Sequence, residues 1–335
     1  MNRRSLLKSA AAMAVGAPLL SVANATPAHA AGNYDVLLTE QLKNKVMLFR
    51  AIESWEPKNL GWSWTAPTSV VNGENTWRLL SDARFRETDR FGWVCLVTAS
   101  GGKVGMVNFG DDDALLWSAT PYGNPHAIEY IRSHGVVVVA SSQKSAAVDY
   151  DGFLTIYAPT DADDPGTLAA VDTITYTGAH GLWWDGSHLF ALGARTLAKY
   201  RVTGSLRTSR LELVQKHVWS DTTPFWGHSL DMDFTDPGRL LLNGAGAVWT
   251  VDKANLALTN IRPGSYGVKS FSRAVDGESF WVQAIDQTNP GETGWWNQYV
   301  QFFDAAGKPT YRRGLDYYGY EGRIYRSRIA SVRLS

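Results

Sequence analysis

The sequence predicts an all-β chain closed on itself as a single β-propeller. Three observations carry this. Short alternating or β-branched runs bounded by Gly, Asp, Asn and Pro recur throughout, no convincing amphipathic helix follows Gly32, and the runs come in pairs spaced roughly 40 to 60 residues apart, about the length of a four-stranded blade. The pairs are residues 36–39 with 46–50, 94–99 with 104–108, 136–141 with 153–158, 189–193 with 197–202, 240–243 with 248–252, and 280–285 with 299–304.

A second pattern stands ahead of four of these pairs in one register: Pro125-His126-Ala127-Ile128, Ala179-His180-Gly181-Leu182, Gly227-His228-Ser229-Leu230 and Val268-Lys269-Ser270-Phe271. These read as innermost strands. The C-terminal Arg323-Ile324-Tyr325-Arg326 has no following pair, so it is expected to join 36–50 in one blade and close the ring, which removes the open edges of a sheet. The count is six blades, or seven if residues 62–66 and 77–80 belong to different ones. A β-sandwich is the alternative architecture, but sandwiches of this length usually show a domain break, and no linker or low-complexity stretch interrupts the chain.

The first residues, Met1-Asn2-Arg3-Arg4-Ser5-Leu6-Leu7-Lys8, set a twin arginine before an apolar stretch too short to span a bilayer, and small residues in Thr26-Pro27-Ala28-His29-Ala30 mark a cleavage site. This predicts a Tat-like signal peptide over 1–30, a propeller domain over 31–335, and a secreted, extracellular product. Asn2 and Leu6 depart from the usual Tat pattern, which leaves the Sec route open.

Cys95 is the one cysteine, so no internal disulfide supports the fold and the core must suffice. Lys plus Arg and Asp plus Glu number 32 each, which argues against nucleic acid or a membrane surface as a partner and makes any electrostatic recognition local. The 14 Trp and 14 Tyr exceed what sheet packing needs; many carry a polar group suited to a cleft. A closed ring needs no second copy, so a monomer is expected.

His126, His180 and His228 open three consecutive inner strands about fifty residues apart. Equivalent positions on neighbouring blades face the same end of the channel, so three imidazoles are expected to converge there. One such histidine alone would be read as a hydrogen bond to the next blade; three in register point to a site. Lys269 continues the series, Arg323 is expected to follow it, and Arg78 or Arg84 to precede it. His134, His188 and His217 fall in turns or outer strands. Glu129 and Asp231 are expected to face outward as structural partners.

Two chemistries suit such a mouth. The imidazoles could ligate a divalent metal ion, although no fixed local metal spacing supports one. Alternatively one imidazole does acid–base work while Lys269 and Arg323 hold an anion. Trp226, Trp183, Trp184, Trp295 and Trp296 near the cations suggest an oligo- or polysaccharide bearing a uronic acid, with Tyr122 and Tyr266 as proton-donor candidates. Neutralising the carboxylate acidifies the neighbouring proton, a base removes it, and an acid protonates the leaving oxygen.

Thr98-Ala99-Ser100-Gly101-Gly102, Asn124-Pro125-His126, Ala179-His180-Gly181, Gly227-His228-Ser229-Leu230, Val268-Lys269-Ser270 and Trp295-Trp296, in this order, resemble secreted actinobacterial propellers of unassigned function. More distantly the set is similar to the rhamnose–glucuronate polysaccharide lyases, propellers that remove terminal rhamnose from glucuronic acid on gum arabic and arabinogalactan by elimination. The resemblance spans roughly residues 35 to 329. It implies His126 as the principal acid/base, His180 and His228 as shaping the site, and Lys269 or Arg323 as meeting the carboxylate. Ser229 stands where that family has an Asp, and the family has seven blades. A non-catalytic glycan- or protein-binding propeller and a metal-dependent, lactonase-like hydrolase are the rival readings.

Overall fold

A computed structural model describes residues 34–332, apart from 111, 143–150, 220–226, 245, 289, 290 and 292. The expected signal peptide and Trp226 lie outside the described residues. Six four-stranded antiparallel sheets form the blades of a propeller, with one added two-stranded ribbon, Val70–Val71 with Glu74–Asn75.

Closure occurs as the sequence implied. Ile324–Ile329 pairs with Asp35–Glu40, placing Ile329 opposite Val36, and Lys45–Arg50 and Leu60–Thr65 complete that first blade. The inner strands of blades two to six are Leu80–Thr88, Asn124–Ile131, Gly181–Trp184, Ser229–Met232 and Val268–Arg273. Residues 62–66 and 77–80 do separate into two blades, yet no seventh arises: the former segment is mostly the fourth strand of blade one, and Leu80 opens blade two.

The second strand of blade three shows why these segments read as strands. Val136–Ser142 is almost entirely apolar because both of its faces are covered. Val136, Val138 and Ala140 pack toward blade four, with Leu182, Leu189 and Ala191, whereas Val137 and Val139 pack toward blade two, with Val94, Leu96 and Met106. Each fully buried valine of this kind contributes about 1.5–3 kcal/mol of hydrophobic stabilisation. Outermost strands such as Ala169–Thr175 and Arg210–Val218 lie largely in solvent and lack that signature. Cys95 is a free, buried thiol in the core.

The channel is filled by charge. Asp82, Glu129 and Asp231 from blades two, three and five are fully or nearly buried, and arginines of blades one and two meet them. Arg84 reaches Glu129 at 2.5 Å, Asp82 at 3.1 Å and the Leu182 carbonyl at 3.0 Å; Arg86 reaches Glu129 at 2.6 Å. Arg328 reaches Asp82 at 2.5 Å and lies 3.6 Å from Asp231, which also accepts from the Ser272 hydroxyl at 2.6 Å. Glu129 and Asp231 therefore point into the channel rather than outward as expected. Strict alternation from His126 to Glu129 fails because the strand carries an extra residue at its start, and His228 stands outside the paired register of Ser229–Met232 that sets the direction of Asp231. Burial alone would raise the Asp82 and Glu129 carboxyls; the adjoining arginines overcome it and hold both below the ordinary range.

Candidate functional site

The residue at the start of each inner strand, an extra one in four of the six, builds the site. Register shifts pass over Ser81 between Leu80 and Asp82, His126 between Pro125 and Ala127, Lys269 between Val268 and Ser270, and Tyr325 between Ile324 and Arg326. His180 and His228 stand in the same place, directly before the first paired residues Gly181 and Ser229, donating their backbone N–H groups to Leu192 and Asn243. A bulged residue escapes the pleat, and its side chain is re-aimed, here toward one mouth of the channel. Around the ring the positions read Ser81, His126, His180, His228, Lys269, Tyr325. Ser81 and Tyr325 are the two members the sequence did not identify; their bulges were the only signal, and a bulge is invisible without the partner strand.

Three expected members fall elsewhere. Arg323 precedes the Tyr325 position by two residues and is exposed, its guanidinium 4.9 Å from the Trp296 ring. Arg78 pairs with Glu74 at the surface, and Arg84 lies deeper in the channel network.

The histidines do converge. The His126 and His180 rings stack, with centroids 3.9 Å apart and planes within 14°, and His228 lies 5.4 Å from His180 at a tilt of 58°. The Lys269 ammonium approaches His228 Nε2 at 2.9 Å. His180 Nδ1 lies 2.9 Å from the Gly178 carbonyl, a contact that fixes a proton on Nδ1 and leaves Nε2 with its lone pair. His126 is 6 % exposed, and its Nδ1 is buried without a hydrogen-bond partner among the described residues.

From the closing strand, Arg326 donates to the backbone carbonyls of His126 and His228, each at 2.7 Å. One guanidinium thus ties two blades that carry the histidines. Its fixed charge also acts on them. Burial pushes His126 well below its usual value, with His180 and Arg326 adding to the effect. Burial lowers His180 to about 4, opposed by the Gly178 contact and reinforced by Arg326 and Lys269. Lys269 is lowered to about 8, mainly by burial. At neutral pH, His126 and His180 are neutral proton acceptors, and most of Lys269 is charged.

Two consecutive tryptophans cap the cations: Trp295 lies 4.4 Å from the Lys269 ammonium and is 67 % exposed, and Trp296 covers Arg323. Tyr122 and Tyr266 are 69 % and 63 % exposed; the first packs on Phe153, and the second lies against Gly246. Neither shows a contact with the histidines. Trp184 packs in the core between blades three and four and Trp183 against that of blade five, the latter beneath Arg84 and Arg86, so both are walls rather than platforms. His134, His188 and His217 lie away from the mouth, as expected.

A metal fits poorly. Among the described residues no group of three or more His, Cys, Asp or Glu side chains has metal-holding geometry, and His228 Nε2 is engaged by Lys269.

No protein-family model and no curated protein matches the chain. Among solved structures it is similar to a provisionally named 6-phosphogluconolactonase from Bacteroides uniformis, with a TM-score of 0.51 and 12 % identity over 84 % of this chain and 83 % of that one. It is also similar to a protein of unknown function from Desulfotomaculum acetoxidans, with a TM-score of 0.48 and 10 % identity over 88 % and 98 % of the two chains. A third likeness is to the Cps50 (Swd1) β-propeller domain from Myceliophteria thermophila, with a TM-score of 0.48 and 11 % identity over 85 % and 87 %. At such identities the likeness is one of fold, and the chain is a six-bladed β-propeller whose chemistry has to be argued from its mouth.

Proposed function

We propose that the protein is a secreted carbohydrate-active lyase that cleaves a glycosidic bond at a uronic acid by β-elimination. Release of terminal rhamnose from glucuronic acid is the specific case the family resemblance implies. The observation that carries the reading is a mouth combining neutral imidazoles with a charged lysine and no carboxylate among the six ring positions. Such a mouth suits an anion that must lose a proton.

The residues divide the work. Arg323, exposed on the Trp296 ring, meets the carboxylate, and the exposed face of Trp295 takes the sugar ring. His180 Nε2 removes the proton beside the carboxylate, its tautomer set by Gly178 and its ring backed by His126. This moves the principal base from His126 to its stacked neighbour, because His180 has the fixed tautomer. The electron pair forms the double bond, the bond to the leaving oxygen breaks, and the Lys269 ammonium, relayed by His228, supplies the proton that oxygen needs.

The test is the ultraviolet absorbance of an unsaturated uronate. The mature protein, His180→Ala and His126→Ala would be incubated with gum arabic and a panel of uronate oligosaccharides. The expected result is product from the wild type and a loss of about 10²–10⁴-fold in His180→Ala. Glycan binding with no absorbance on any substrate would replace the lyase by a binding propeller.

A further inference from the structure

Lys269 has a property that its proton-donor role in elimination does not require. It is 1 % exposed, yet among the described residues no carboxylate lies within ion-pair distance, and its nearest polar partner is the imidazole of His228 at 2.9 Å. Lysines are seldom buried without an acid, and one that is becomes easier to deprotonate and more nucleophilic. We propose that Lys269 is a reactive amine, and that this mouth forms an imine with a small carbonyl compound bearing a carboxylate, of the α-keto acid class.

The groups around it point the same way. Arg326 from blade one and the His126–His180 stack add positive or neutral neighbours, Asp286 acts only at a distance in the opposing sense, and Trp295 roofs the amine. Burial above all, opposed by Asp286 and reinforced by Arg326, brings its deprotonation down to about 8. Trp295 is largely in solvent, and a cation–π contact of this sort is worth about 0.5–2 kcal/mol, so turning the ring aside opens the amine at small cost.

The step balances without any oxidant or reductant. His228 takes the ammonium proton, the freed Nζ lone pair attacks the carbonyl carbon, and one of the two protons left on that nitrogen passes to the carbonyl oxygen to give a neutral carbinolamine. His228 then returns its proton to the departing hydroxyl, water leaves, and the carbon–nitrogen double bond forms. Arg323, stacked on the neighbouring Trp296, is the cation available to the carboxylate. The inference goes beyond the lyase reading and does not require it.

The test is reductive trapping on the mature protein with glyoxylate and cyanoborohydride at neutral pH, followed by peptide mapping by mass spectrometry. The expected result is one dominant adduct on the Lys269 peptide, roughly tenfold to a hundredfold over exposed lysines such as Lys43 and Lys58. Lys269→Arg should lose that adduct, and unfolding the wild type should abolish the preference. Label spread over exposed lysines with Lys269 unmodified in the folded wild type would overturn the proposal. Because trapping is read by mass and elimination by absorbance, failure of one is distinguishable from failure of the other.

Discussion

The inner strands carry two polar layers, and the layers are built on opposite rules. Deep in the channel, Asp82, Glu129 and Asp231 are matched by Arg84, Arg86 and Arg328 at bonding distances. At the mouth, His126 keeps an orphan Nδ1 and Lys269 has no acid partner among the described residues. Matched charge holds six blades in register; unmatched polar groups are held ready for something else. Arg326 belongs to both layers, lying 3.4 Å from Asp82 while donating to the His126 and His228 carbonyls. Both layers hold orphaned nitrogens, Arg84 Nε and Arg328 Nε among the deep ones, so chemistry is to be sought where a buried amine lacks a counter-charge, at the mouth, rather than where charge is densest.

Breaking the matched layer should have the largest effect on stability. Asp82→Ala leaves Arg84, Arg326 and Arg328 without their shared carboxylate, and a loss of about 3–5 kcal/mol is expected in denaturant unfolding. Acid should sharpen the contrast next. His180 titrates near 4 in the fold against about 6.5 when unfolded, so the unfolded chain binds more protons between those values and stability must fall as pH drops through that window. For His180 alone the loss is of order 3 kcal/mol, followed by urea midpoints across the window.

The unmatched layer should respond in activity rather than stability. The elimination rate should rise as His180 deprotonates near 4 and fall as Lys269 loses its proton near 8, giving a plateau between them. Trp295→Ala should weaken substrate binding roughly tenfold in KM with kcat little changed, consistent with one lost aromatic contact. At the bottom of the scale, Tyr122→Ala should alter stability by less than about 0.5 kcal/mol and leave turnover intact, since the ring sits at the rim on Phe153.

Much of this was legible in the chain. Runs such as Val136-Val137-Val138-Val139 announce strands covered on both faces, and the recurring residue pair ahead of Ala127, Gly181 and Ser229 placed three histidines at one end. The outermost strands were not legible, because a half-solvated strand such as Arg210–Val218 mixes polar and apolar residues without strict alternation. The deep network was missed for a different reason. Glu129 and Asp231 follow their histidines by three residues, and simple alternation sends them outward; a bulge at His126 breaks the count for Glu129, and His228 lies outside the paired strand for Asp231. Tyr325 and Ser81 share the histidines' position through strand register, and their types gave no hint of it.

His126 and His180 stay neutral because they are buried beside fixed positive charge. Titration of the imidazole resonances by NMR, with His126→Gln and His180→Gln variants for assignment, tests this most directly. The expected outcome is a midpoint near 4 for His180 and a lower-than-ordinary one for His126. Midpoints for both near the ordinary value of about 6.5 would mean that the mouth is solvated and matched like any surface, and the distinction between the two layers would fail.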